Sequence, residues 1–124
     1  MAPPSRSQLL AQLHTLGERQ TALRAELMHA GEFVVGTVSE VRVRCGHPGC
    51  HCARGAGHPQ MRLLYGDGAR RRCKLIREAD WDRLRRAGAR YRRLRTTLRA
   101  LAVLHARELR LLRALVRQGG LRYR

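Results

Sequence analysis

The apolar positions of residues 9–30 fall at Leu9, Leu13, Leu16, Gln20, Leu23, Leu27 and Ala30, at intervals of 4, 3, 4, 3, 4 and 3. This heptad seam predicts an amphipathic helix over 7–30 that packs against a partner helix. Ser7 stands where an N-cap is expected and Gly31 where the helix should stop. Gln20 is the polar member of the seam, and Gly17 weakens the helix by ~1 kcal/mol relative to Ala. A second seam runs Leu84, Ala87, Tyr91, Leu94, Leu98, Leu101, His105, Glu108, Leu112, Leu115. It predicts a helix over 80–118, opened by Asp80 and closed by Gly119-Gly120, roughly 58 Å long at ~1.5 Å per residue. Gly88 reads as its weak point.

Residues 32–79 change period. Phe33-Val34-Val35 through Val41-Arg42-Val43, then 61–65 and 72–76, read as three short strands, the last two joined by a turn at Gly66-Asp67-Gly68. Three such strands bury too little surface to be stable alone, so a staple is expected. The predicted fold is α+β, mostly α: two long antiparallel coiled-coil helices with a small three-stranded, zinc-bound β module inserted between them. The second helix is predicted to overhang the first by about 15 residues, since it is that much longer. That overhang would expose Leu109, Leu111, Leu112, Leu115 and Val116, a run of aliphatics that marks an interface for a second copy or a docked protein.

Composition sharpens this picture. The chain has 124 residues, with 26 Lys+Arg against 9 Asp+Glu, a formal charge of +17 and only 4% aromatic residues. Residues 1–68 carry a net +2 and residues 69–124 a net +15. Such asymmetry points to a polyanionic partner, because self-repulsion of this size destabilises a compact state unless counter-charge relieves it. No apolar run approaches the ~18 residues of a membrane span. The N-terminus lacks the basic-then-apolar order of a signal peptide, so a soluble, cytoplasmic, nucleoid-associated protein is expected.

The staple is legible at Cys45-Gly46-His47-Pro48-Gly49-Cys50-His51-Cys52 followed by His58. Four soft or borderline donors in C-x4-C-x-C-x5-H spacing suit tetrahedral Zn²⁺, with Cys45, Cys50 and Cys52 as thiolates and His58 as neutral imidazole. Arg44 and Arg54 are placed to favour thiolate. Cys73, His47 or His51 are alternative fourth ligands, and Cys73 otherwise reads as a small buried strand residue. A closed four-ligand shell is structural, since it leaves no position for reacting water. A disulfide framework fits poorly in a chain with no mark of secretion. A catalytic thiol fits poorly too, with no carboxylate near the cluster to orient a histidine.

Cys45, Gly46, Pro48, Cys50, Cys52, Ala53 and His58 resemble the C-G-x-P-x-C-x-C-A…H signature of a family of short, uncharacterised bacterial proteins, over roughly residues 36–118. Where that family carries a Tyr-rich strand, this chain has Met61-Arg62-Leu63-Leu64-Tyr65. Members of the family often lie near transposase and recombinase genes. The resemblance therefore implies a role in mobile-element biology and brings no activity with it.

The predicted second helix carries Arg83, Arg85, Arg86, Arg90, Arg92, Arg93, Arg95 and Arg99 outside its seam, and Arg70, Arg71, Arg72 and Lys74 precede it on the predicted hairpin. Few acids sit at i,i+4 to pair with them. A continuous cationic surface of this kind grips phosphates with little sequence choice. The chain has no Asn, and its Gln residues outside the C-terminus lie in the first helix or at Gln60, so base reading by amide side chains is not expected. These features predict a non-enzymatic, zinc-stapled nucleic-acid-binding accessory protein; the family resemblance turns the expectation to DNA and implies a recombinase or transposase among its candidate partners. An RNA- or ribosome-associated binder, or a coiled-coil adaptor for an acidic protein, are the competing readings. An enzyme is not expected, because the few acids form no paired-carboxylate arrangement.

Overall fold

The computed structural model describes residues 2–123. In chain order it contains helix α1 (Arg6–Met28), strand β1 (Thr37–Val43), a 3-10 turn at His51–Arg54, strands β2 (His58–Asp67) and β3 (Arg70–Ile76), a second 3-10 turn at Glu78–Asp80, and helix α2 (Trp81–Gly119). The chain is thus α+β, with two helices and one three-stranded antiparallel sheet of order β1-β2-β3. It divides into two compact units, one of Met1–Ala30 with Leu94–Arg124, the other of Gly31–Arg93. Among the described residues, no helix is long and apolar enough to cross a membrane.

The helical unit is built on the α1 seam. Leu9, Leu16, Gln20 and Leu23 are buried, with Leu13 and Leu27 half-buried, as the heptad spacing predicts. The helix begins earlier than expected: Ser5, not Ser7, is the cap. Its hydroxyl accepts from the Gln8 amide at 3.2 Å, while the Gln8 side chain accepts from the Ser5 amide at 2.8 Å. This reciprocal box satisfies two otherwise orphaned donors at once, an advantage Ser7 lacks.

Two hydrogen bonds set the pairing of α1 with the C-terminal part of α2. Thr97 donates to Glu26 at 3.1 Å, and the Gln118 side chain donates to the Pro4 carbonyl. High numbers on one helix thus meet low numbers on the other, and the two segments run antiparallel. The last turn of α2 ends beside the start of α1, so the predicted C-terminal overhang does not exist. The extra length of α2 is its first thirteen residues, Trp81–Arg93, which belong to the sheet-containing unit.

The α2 seam also shifts by one residue along this stretch. Thr97 is buried and Leu104 and Leu111 are half-buried, whereas Leu98, His105 and Leu112 are exposed. A 3.6-residue repeat lets either member of each such pair face inward. Thr97 takes the inner place, where its hydroxyl meets the Glu26 carboxylate.

In the second unit, α2 covers one face of the sheet. Met61 at the centre of β2 and Ala87 on α2 are buried. Gly88 lies against Val38, and the Trp81 indole donates to the Ile76 carbonyl at 3.0 Å. The Val34 amide donates to the Ala87 carbonyl at 3.3 Å, and Phe33 stacks on Tyr91 with ring centroids 6.1 Å apart. Residues 33–35, expected as strand, instead form the irregular segment that meets α2. Strand β3 is exposed throughout until Ile76, so Cys73 is exposed, not buried.

Candidate functional site

The cysteine segment joins β1 to β2, whose ends pair Val43 with His58. The chain leaves β1 at Arg44, turns through Gly46 at φ +86°, and folds back with the Cys50 amide donating to the His47 carbonyl at 3.1 Å. One 3-10 turn then carries Cys52 inward, where it is almost fully buried. The return into β2 passes through Gly57 at φ +93°. A Cβ there would stand 2.7 Å from the Val43 carbonyl carbon, so only glycine brings His58 back beside β1. Arg42 and Arg44 fasten the returning loop by donating to the carbonyls of Gly57 (3.2 Å) and Gly55 (3.4 Å).

These turns gather Cys45, Cys50, Cys52 and His58, whose ligand atoms all lie within 4.8 Å of one another. Cys45 Sγ is 3.4 Å from Cys52 Sγ, and His58 Nε2 is 3.2 Å from Cys50 Sγ. A tetrahedral ion held at ~2.3 Å from sulfur and ~2.0 Å from nitrogen requires edges of roughly 3.5–3.8 Å, so the group fits a metal site. The Cys45 amide points at Cys52 Sγ from 3.4 Å, a contact suited to a thiolate. Among the described residues, Cys73, His47 and His51 are not in the cluster. His47 supplies backbone to the turn, and the His51 ring lies edge-on to His58 at 5.4 Å between centroids.

The electrostatics favour thiolate at Cys45, but not by the route the sequence suggested. Its pKa is pulled down to about 6, first by the His47 backbone and then by the neighbouring Cys52 and His58 side chains. Arg44 instead spends its guanidinium on the Gly55 backbone. Cys52 has the Cys45 backbone in favour of its thiolate, yet burial and the adjacent Cys45 and Cys50 sulfurs carry its pKa upward. The Cys45 and Cys52 sulfurs, 3.4 Å apart, cannot both ionise comfortably without a cation beside them. An ion taken up by these four donors would cross-link the loop to the sheet.

The arginines singled out on α2 fall into three groups. Arg83 makes a bidentate pair with Glu32 at 2.7 and 2.8 Å. Arg85 reaches Glu40 at 2.6 Å and Asp82 at 3.1 Å, and Arg90 donates to the Glu32 carbonyl at 2.6 Å. All three fasten α2 to β1 or to the segment that precedes β1. No local signal marks these pairs, since Glu32 and Glu40 lie 51 and 45 residues upstream of their arginines. Arg92, Arg93 and Arg95 are exposed and also have interactions with other groups. Among the described residues, Arg70, Arg71, Lys74, Arg86 and Arg99 are exposed and form no ion pair within 4 Å, while Arg72 pairs with Asp67 at 3.3 Å.

Of the aliphatics expected at an interface, Leu111 and Leu115 are half-buried. Leu109, Leu112 and Val116 are exposed, at 51%, 39% and 75%.

Fold and cluster together define a small α+β protein with a Cys3His group consistent with a metal site. Residues 6–86 match the DUF6788 family, a domain of unknown function, and the chain belongs to that family. The match takes in α1, the sheet and the cluster, and leaves most of α2 outside. No curated protein and no solved structure matches the chain.

Proposed function

We propose that this protein is a non-enzymatic DNA-binding accessory protein in which Zn²⁺, held by Cys45, Cys50, Cys52 and His58, staples a basic module. Bound zinc would supply cross-linking energy, worth ~10–16 kcal/mol in zinc-finger peptides, to a sheet too small to be secure alone. The observation that carries the reading is the set of exposed cations Arg70, Arg71, Lys74, Arg86 and Arg99, for which, among the described residues, no acid lies within ion-pair distance of 4 Å. With the 19 basic residues of the C-terminal half against 4 acids, they favour a phosphate backbone as counter-charge. The C-G-x-P-x-C-x-C-A…H resemblance supports a place in transposition or recombination, and a cytoplasmic, nucleoid-associated location follows from that role.

The test is filter retention of duplex DNA and of structured RNA over a salt series. Duplex DNA should be retained at low salt and released as salt rises, and Arg86→Glu/Arg99→Glu should reduce retention while the fold survives. Retention of neither nucleic acid discards the reading. Retention of structured RNA alone selects the ribosome-associated alternative, and affinity for an acidic protein alone selects the adaptor.

A second element of the proposal is an interface. Leu98, Leu109, Leu112 and Val116, at intervals of 11, 3 and 4, fall on one helix face and are exposed, a row of aliphatics suited to an interface. A second copy of the chain, or a docked recombinase or transposase, would cover them.

A further inference from the structure

The β2–β3 hairpin is longer than its sequence suggested. The strands extend to Asp67 and Arg70, leaving only Gly68-Ala69 as the link, with Gly68 at φ +62°. Strand β1 pairs with β2 only from Thr37–Leu64 to Val43–His58. The last three pairs, Tyr65–Arg72, Gly66–Arg71 and Asp67–Arg70, therefore form a two-stranded ribbon that runs past the third strand. At ~3.3 Å per residue it extends roughly 10 Å.

Side chains alternate faces along a strand, and cross-strand partners share a face. Arg70 and Arg72 thus project from one face of the ribbon beside Asp67 and Tyr65. Arg71 projects from the other, opposite Gly66, which has no side chain to hinder it. All three arginines are exposed, and the Arg72–Asp67 pair steadies the tip.

A thin ribbon with cations on both faces is matched to a cleft with phosphates on both walls. The major groove of B-form DNA, ~12 Å wide and ~8.5 Å deep, admits a two-stranded ribbon of this reach, whereas the ~6 Å minor groove does not. The major groove of A-form RNA is too deep and narrow for side chains to read. A single strand would need stacked aromatic rings, and the only ring on the ribbon is the half-buried Tyr65.

Resting on the DNA-binding reading above, we propose that the β2–β3 ribbon enters the major groove of B-form DNA tip first, with Arg70 and Arg71 facing opposite walls. The experiment compares a short GC-containing DNA duplex with double-stranded RNA of the same sequence, and maps guanine N7 methylation by dimethyl sulfate at saturating protein. The wild type should bind the DNA about tenfold more tightly than the RNA and protect guanine N7, which lies in the major groove. Arg70→Ser/Arg71→Ser should lose both the preference and the protection. It should keep weaker, salt-dependent retention through α2, with the salt slope lowered by about 1.8 for two lost phosphate contacts. DNA bound without N7 protection, or bound equally by wild type and the ribbon variant, overturns the ribbon while leaving the DNA-binding reading in place. Absence of any retention overturns both.

Discussion

Gly88 of α2 lies so close to Val38 of β1 that a Cβ at this position would come within 2.8 Å of Val38 Cγ2 and 3.2 Å of Val38 Cβ. Val38 is β-branched and stiff at χ1, and its Cβ moves only with the strand. Replacing Gly88 by Ala gains ~1 kcal/mol of helix propensity and meets an overpacking cost of about 1–3 kcal/mol. The cost wins, so Gly88→Ala is expected to lower the thermal midpoint. At Gly17 of α1 a Cβ meets nothing within 4 Å, and Gly17→Ala should raise the midpoint through the same propensity term. Melting curves of the two variants followed by circular dichroism check both signs.

The Glu32–Arg83 pair predicts an acid-sensitive joint. The Arg83 side chain, donating to both carboxylate oxygens, holds the Glu32 pKa below its usual value of 4.5, and the charges of Arg83, Arg90 and Arg86 add to this. A carboxylate whose folded pKa is depressed contributes stability above its unfolded pKa and loses it as pH falls through the folded value. The stability of the wild type should therefore decline as pH drops below about 4.5, and Glu32→Gln should flatten that arm while lowering stability at neutral pH. The two curves of thermal midpoint against pH should converge at low pH. Curves that stay parallel would remove Glu32 from the acid response.

What the sequence made legible follows from how local each signal is. The α1 seam and the Cys45–His58 cluster rest on spacings within one turn or one loop, and the structure brings the residues of each together. The inner face of α2 does not follow from spacing alone, because leucine or an acceptable substitute stands at both members of the 97/98, 104/105 and 111/112 pairs. The partner helix chooses between them. Gly88 read as a defect for the same reason: helix propensity sees the helix and not the Val38 side chain against it. The arginines of α2 looked uniform because their acids, Glu32 and Glu40, are distant in sequence and adjacent only after β1 docks. Ser5 was masked by Ser7, although Gln8 three residues on marks Ser5 as the member of a capping box.

The exposed aliphatic row on α2 predicts self-association. Sedimentation equilibrium at tens of micromolar should give a dimer mass. Leu109→Glu/Leu112→Glu should give a monomer with unchanged helical content, since both positions are already exposed. A wild type that sediments as a monomer removes the second copy as occupant of that face.

Metal removal provides the sharpest test of the cluster. If Zn²⁺ cross-links the β1–β2 loop to the sheet, the purified chain should carry one zinc per molecule. A strong chelator should then disrupt the sheet unit while the α1 helix and its α2 partner segment persist. Trp81 reports the difference, because its indole is fixed to the Ile76 carbonyl at the end of β3 and its fluorescence should shift to that of a solvated ring. Cys52→Ser should act like the chelator, since Cys52 is the buried member of the group. Gly57→Ala isolates geometry from ligand chemistry: it keeps all four donors but forces the Val43–Gly57 contact apart and displaces His58. It should weaken zinc binding by about 10–100-fold, the range seen when residues that orient ligands are changed. Gly49→Ala, where a Cβ has open space, should leave affinity nearly unchanged. A folded, zinc-free wild type with native Trp81 emission would show that the four side chains meet without serving as a staple.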